Sequence, residues 1–192
     1  KATTHLTIHR IESEIDKGDI IIQKLLKIPK KCINLKLTYK YIEKFEKAIF
    51  KSFLSLGKYP VISQNEDKSF YWPRLDTAKH GFINWTWTAI DIKLFCSAFD
   101  YPFKGASTYL RKNKVFFHDV ELTDMNIYFH PFQAGLVYRI KDGSYYIATT
   151  KGGIKVKNIV LEDNKSFNIK LGDRFVTPIN DLYEALTNES KY

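Results

Sequence analysis

The chain has 192 residues, 44% of them apolar and 15% aromatic, so it can build a full core and is not an intrinsically disordered segment. No apolar run approaches the roughly 18–20 residues that a membrane-spanning helix needs. Thirty Lys and Arg against 21 Asp and Glu leave a formal charge of +9. That excess suits either a polyanionic partner (a nucleotide pyrophosphate, an RNA or an acidic surface) or a plain solvated basic surface, because it is spread in ones and twos, densest at Lys30-Lys31 and Lys155-x-Lys157.

Residues 4–11 alternate, with Leu6 and Ile8 on one face and His5, Thr7 and His9 on the other, which predicts a strand. The chain opens on Lys1 and enters this strand almost at once, as a fragment of a longer protein would. A polar turn containing Gly18 follows, and Asp19-Ile20-Ile21-Ile22-Gln23 reads as a second, buried strand. Leu37, Tyr41, Phe45, Ala48, Ile49, Phe53 and Leu56 recur at helical spacing, and Gly57 with Pro60 ends that helix. Residues 60–84 read as a long loop, a length that is usually functional in a compact protein.

Thr88 and Asp91 resemble a capping box that opens a helix over 89–99, with Ile90, Leu94 and Ala98 on one side. Beyond Pro102 the texture changes to short β-rich runs at 114–121, 136–140, 144–149 and 154–161, with Lys141-Asp142-Gly143 as a hairpin turn. Thr177 as N-cap and Pro178 at the first helical position predict a last short helix. Gly152-Gly153 lacks a following helix and reads as a turn, not a phosphate loop. Two cysteines, Cys32 and Cys96, in unrelated contexts fit a reducing cytoplasm better than a disulfide framework.

Two groups of residues stand out as candidates for chemistry. His5, His9 and Asp16 place two imidazoles and a carboxylate near one strand end; by spacing alone they are acid–base equipment, metal ligands or an incidental solvent-facing edge. Tyr71, Trp72 and Arg74, in Ser69-Phe70-Tyr71-Trp72-Pro73-Arg74, suit stacking on a base beside a cation for a phosphate, or else a loop held down by its own aromatics. Gly105 permits a tight backbone path and Ala106 leaves room for a bulky neighbour, either a nucleotide or the packing of helix on sheet. His130 before Pro131 suits a ligand contact or a locked turn.

The run Thr7-Ile8-His9, then Asp16-Lys17-Gly18-Asp19-Ile20-Ile21-Ile22-Gln23, resembles the strand–loop–strand signature of the formyltransferase family. Tyr71-Trp72-Pro73-Arg74, Gly81-Phe82-Ile83-Asn84-Trp85, Ala98-Phe99-x-x-Pro102-Phe103-x-Gly105-Ala106 and Phe129-His130-Pro131-Phe132-Gln133-Ala134-Gly135 resemble its sugar N-formyltransferase branch, so the likeness covers essentially the whole chain. Methionyl-tRNA formyltransferases share only the looser frame of Ile-x-Trp, a helix and Pro-x-x-Gly-Ala.

The resemblance implies an α/β fold: residues 1–81 as the back end of a Rossmann-like formyltransferase core, and 82–192 as a small β-rich C-terminal domain. It implies formyl transfer from N10-formyltetrahydrofolate, as co-substrate, to the amine of a nucleotide-linked amino sugar, with dTDP as the expected nucleotide. Asp16 then matches the catalytic carboxylate, His9 a supporting position beside it, and Tyr71, Trp72, Arg74 and Gly105 acceptor-side contacts. No metal is expected, no membrane is involved, nucleic acid is the less favoured partner, and a homodimer through the β-rich half is expected by analogy. Formylation of methionyl-tRNA is the same-class alternative, and a non-catalytic nucleic-acid- or protein-binding module the alternative of another class. The family's Asn-x-His pair occurs nowhere in this chain, so the active site it carries is expected to be incomplete.

Overall fold

A computed structural model describes residues 2–29, 35–59, 61–70, 73–123, 125–163 and 168–187. The chain divides into two compact units, Lys1–Trp72 and Pro73–Tyr192.

In the first unit the predicted strands form an antiparallel hairpin, β1 (Thr3–His9) and β2 (Ile20–Lys27), paired from Thr3↔Lys27 to His9↔Ile20 with an irregularity between Ile8 and His9. The second strand runs four residues further than its apolar core suggested. It is less enclosed than expected: Ile20, Ile21 and Ile22 are half-buried and only Leu26 is buried, because a two-stranded sheet offers each strand one neighbour. Helix α1 (Leu35–Leu54) lays Ile49 and its half-buried neighbours Tyr41, Phe45 and Phe53 inward, and Tyr41 donates its hydroxyl to the Lys27 carbonyl at 3.2 Å. Pro60, the expected stop beyond it, lies outside the described residues, as do Lys30, Lys31 and Cys32.

The expected loop over 60–84 carries more structure than its polar composition suggested. Ile62 exchanges both backbone hydrogen bonds with Ile20, Glu66–Lys68 form a 3₁₀ turn capped by Asn65, and α2 (Thr77–His80) is capped by Asp76.

In the second unit α3 (Ala89–Phe99) starts where the capping box places it: Thr88 accepts from the Asp91 amide and donates to the Asp91 carboxylate at 2.6 Å. Its buried stripe is Ala89, Ile92, Cys96 and Phe99, whereas Ile90, Leu94 and Ala98, the side marked in the sequence, face solvent. The helix bears two apolar stripes at the same period, and the one that pairs with Trp85 and with Val115, Phe117 and Ile154 of the sheet becomes core. Cys96 is sealed in that core, and burial pushes its thiol well above the ordinary range, so it is a packing residue.

The sheet has six strands in the order β5-β6-β7-β4-β3-β8: β3 (Ala106–Leu110), β4 (Asn113–Leu122), β5 (Val137–Lys141), β6 (Ser144–Ala148), β7 (Gly153–Leu161) and β8 (Phe175–Val176). All its neighbours pair antiparallel. Four of these strands match the predicted runs within a residue or so; β3 and β8 were not foreseen. Asp142 and Gly143, both at positive φ, make the predicted two-residue turn between β5 and β6.

The turn between β3 and β4 has the same two-residue geometry with the wrong residues for it: Arg111 at φ 49° and Lys112 at φ 69°. Arg111 is compensated by a bidentate ion pair to Asp173 at 2.6 Å. Lys112 is exposed and enters none of the ion pairs among the described residues. Lys112→Gly is therefore expected to raise stability by about 1 kcal/mol, read as a higher midpoint in urea at unchanged slope.

The last helix, α4 (Ile179–Thr187), follows Pro178 as predicted, but Thr177 does not cap it. Its hydroxyl donates to the Ile83 carbonyl at 2.6 Å and lies 3.0 Å from the Thr108 hydroxyl, which also meets Trp85 Nε1 at 3.0 Å. Each hydroxyl has one proton, so the direction is fixed: Trp85 donates to Thr108, Thr108 to Thr177, and Thr177 to Ile83.

Candidate functional site

The carboxylate singled out in the sequence sits in the loop joining β1 to β2, and three backbone devices hold that loop. Arg10 donates its amide to the Asp19 carbonyl at 3.0 Å, closing the base. Gly18 lies so close under Arg10 that a β-carbon there would overlap the Arg10 carbonyl, which explains the glycine two residues after Asp16. Gln64 reaches across from the segment that pairs with β2 and donates to the carbonyls of Asp16 and Gly18, each at 2.6 Å. Asp16 itself takes a left-handed backbone, φ 57°, a conformation that Asp tolerates better than most residues.

The result is a carboxylate presented to solvent, its side chain 86% exposed, on a backbone pinned from beneath. His9 faces it, Nε2 to Oδ1 at 3.7 Å. His9 Nδ1 lies 2.8 Å from the Arg10 carbonyl, and a carbonyl only accepts, so the proton is on Nδ1. A neutral His9 therefore turns a lone pair toward Asp16 and a protonated one turns a positive N–H. His5, on the exposed face of β1, pairs in register with Leu25 and takes no part in this contact. The structure thus brings Asp16 and His9 together and adds Gln64, which sequence reasoning passed over because a lone Gln in a polar stretch carries no periodic or spacing signal.

Tyr71 and Trp72 lie outside the described residues. Arg74 belongs to the second unit, is exposed, and enters none of the ion pairs among the described residues.

Gly105, at φ 98°, donates its amide to the Phe99 carbonyl at 2.9 Å, and a β-carbon there would lie 2.8 Å from the Phe117 carbonyl and 2.9 Å from His118 Nε2. The space freed by this glycine is filled by the protein itself. His130 closes a capping box: its Nδ1 accepts from the Phe132 amide at 3.2 Å, and Gln133 accepts from the His130 amide at 2.9 Å. Of its two candidate roles, this is the turn lock.

A buried acid in the second unit was missed by the sequence reading. Asp100, just past α3, and His118, inside β4, are both buried, Oδ1 to Nδ1 at 2.7 Å. Tyr101 and Asp119 add their amides to the Asp100 carboxylate at 2.7 and 3.3 Å, and the Tyr101 ring stacks on the imidazole at 4.3 Å. Burial alone would push the Asp100 carboxyl up; the His118 hydrogen bond and the two amides outweigh it and hold it below the ordinary carboxylate range. The signal was a histidine in the otherwise apolar run Val115-Phe116-Phe117-His118.

A cavity of about 390 Å³ opens on the same unit, walled by Trp85, Phe175, Pro131, Ile179 and Leu182. Arg174 at its rim is occupied, donating to the Phe132 carbonyl and lying 4.7 Å over that ring. Among the described residues no cluster of His, Cys, Asp or Glu could hold a metal ion, and no helix is long and apolar enough to cross a membrane.

Residues 77–171 match the family described as formyl transferase, C-terminal domain. Over 171 residues the chain is 23% identical to the methionyl-tRNA formyltransferase of Caldicellulosiruptor saccharolyticus, covering 88% of this chain and 54% of that protein. Among solved structures, a variant of HypX from Aquifex aeolicus superposes with a TM-score of 0.56 at 14% identity, over 99% of this chain and 32% of its own. WlaRD, a sugar 3N-formyl transferase solved in the presence of dTDP and 5-N-formyl-THF, gives 0.55 at 22% identity, over 81% of this chain and 54% of its own. These likenesses establish a shared fold. The chain spans about half the length of two of these relatives and a third of the other.

Proposed function

We propose, from the match of residues 77–171 to the formyl transferase C-terminal domain family, that this chain is the back part of an enzyme moving a formyl group from N10-formyltetrahydrofolate to the amine of a dTDP-linked sugar. In this reading residues 1–81 end the catalytic core and 82–192 form its β-rich domain, which pairs as a homodimer in the cytoplasm. The observation that carries it is the pinned loop: a solvent-facing carboxylate on a fixed backbone, with an imidazole 3.7 Å away.

An amine attacking the formyl carbonyl builds a tetrahedral oxyanion and must shed a proton. Asp16 orients the histidine that stabilises the oxyanion and helps move that proton. That histidine comes from the Asn-x-His pair absent from this sequence. His9 stays beside the carboxylate as a support. Tyr71, Trp72 and Arg74 hold the nucleotide, rings on the base and guanidinium on the pyrophosphate. The folate and dTDP of the WlaRD structure support the donor and the nucleotide.

Formylation of methionyl-tRNA is the second reading, favoured by the 23% identity over 171 residues to an enzyme of that name. Thermal shift separates the two. A ligand at a hundred times its dissociation constant stabilises by about 2.7 kcal/mol, roughly 5–10 °C at this chain length. A shift with dTDP larger than with UDP or GDP is the expected result. No shift with dTDP, together with a preference for methionyl-tRNA over an unstructured RNA of equal length, overturns it. The chain by itself is expected to transfer no formyl group to either acceptor.

A further inference from the structure

Helix α1 carries a feature that formyl transfer leaves unused. Lys36, Lys40, Lys44, Lys47 and Lys51 follow one another at steps of four, four, three and four residues, and all five are exposed. At about 100° per residue they fall within an arc of roughly 80° and extend about 22 Å along the axis. The buried and half-buried residues of the helix, among them Tyr41, Ile42, Phe45, Ile49 and Phe53, centre roughly 160° away. The lysine face therefore points away from everything α1 packs on.

Lys40, Lys44, Lys47 and Lys51 enter none of the ion pairs among the described residues, although Glu43 and Glu46 lie on the same helix. Glu43 borders the stripe and Glu46 lies further round. Lysines four residues apart repel each other, so the arrangement is a cost to the isolated helix. On the side of Glu43, roughly 40–60° beyond the edge of the stripe and eleven residues apart, stand Tyr39 and Phe50, each 55% exposed.

We propose that this stripe is a docking surface for a single-stranded nucleic acid, with phosphates along the lysines and bases on Tyr39 and Phe50. The charge complementarity is linear: cations recur every turn, about 5–6 Å apart, in a single file that a chain of phosphates can follow. The two rings supply the sequence-tolerant stacking that single strands use. A lipid surface fits less well, because an interfacial helix buries its apolar face in the bilayer and here that face is spent on the chain's own hairpin. The surface is independent of which acceptor receives the formyl group.

Binding of a fluorescein-labelled 20-nucleotide RNA of mixed sequence to the 192-residue chain, followed by anisotropy from low to high salt, tests this. K40Q/K44Q/K47Q/K51Q is expected to flatten the slope of log affinity against log salt by about 3, at roughly 0.7 per lysine, and to weaken binding about a hundredfold near 0.1 M salt. K79Q/K104Q/K112Q/K141Q, which removes the same charge from exposed lysines of the other unit, should retain the wild-type slope to within about one phosphate contact. Y39A/F50A should weaken binding at least about fivefold with the slope unchanged. Equal losses in both lysine variants would reduce the effect to net charge and overturn the proposal. So would the absence of salt-dependent RNA binding, or lysine-stripe-dependent binding to phosphatidylserine vesicles without RNA binding.

Discussion

Replacing His118 with alanine is expected to cost about 3–5 kcal/mol, or roughly 10 °C or more in Tm, because it strands the buried Asp100 carboxylate without its strongest partner. Asp100→Asn keeps the shape and an acceptor for Nδ1, and should cost less. The two variants also differ from wild type in pH dependence. The Asp100 carboxyl is depressed in the folded state, so its contribution is fully present above the unfolded value, about 3.9, and is lost as pH falls through the folded one. The stability gap between wild type and Asp100→Asn should hold steady above about pH 5 and close progressively below about pH 4. Urea titrations at a series of pH values give both numbers. A gap that widens in acid would mean the carboxyl is not depressed by its partners.

The second large effect is expected at Gly18. A methyl group there collides with the Arg10 carbonyl, which is backbone and cannot swing aside. The loop must then move, breaking the Arg10–Asp19 hydrogen bond and pulling the Asp16 and Gly18 carbonyls off Gln64. Gly18→Ala should destabilise the first unit by about 2 kcal/mol or more. If Asp16 acts as proposed, in a protein that also carries the Asn-x-His pair it should also lower kcat sharply, because displacing a catalytic group by 1 Å costs on the order of a hundredfold. Gln64→Ala removes two hydrogen bonds without the collision and should show the same direction with a smaller loss. Full activity in Gly18→Ala would mean that the position of Asp16 does not govern turnover.

What was legible in the sequence follows the strength of the local signal. Helix α3 begins where Thr88 and Asp91 said it would, because a capping box is chemistry within one turn. Which side it buries was not decided there, because Ile90-Leu94 and Ile92-Phe99 are equally helical stripes and only the sheet beneath decides between them. Strand β3 hid behind the glycine that precedes it, and β8 is two residues long, too short for alternation to speak. At the candidate site Asp16 and Gly18 were readable as a spacing, whereas Gln64 joins them from 48 residues away through pairing of Ile62 with Ile20. Long-range backbone pairing of that kind leaves no periodic trace. Asp100 and His118, on different elements, were invisible for the same reason.

Thr177 has a consequence for how the second unit comes apart. Its hydroxyl is turned to Ile83 and Thr108 in the body of the unit, while the helix that follows turns Ile179 and Leu186 outward, 80% and 87% exposed. The same hydroxyl ties β8 into the Trp85–Thr108 relay, whose other members belong to the buried body of the sheet. One side chain therefore lies on the border between two grades of cooperativity. The helix can fray by sub-global opening while the strand beside it stays closed until the whole unit unfolds, so their amide protons report two different free energies on either side of Thr177-Pro178.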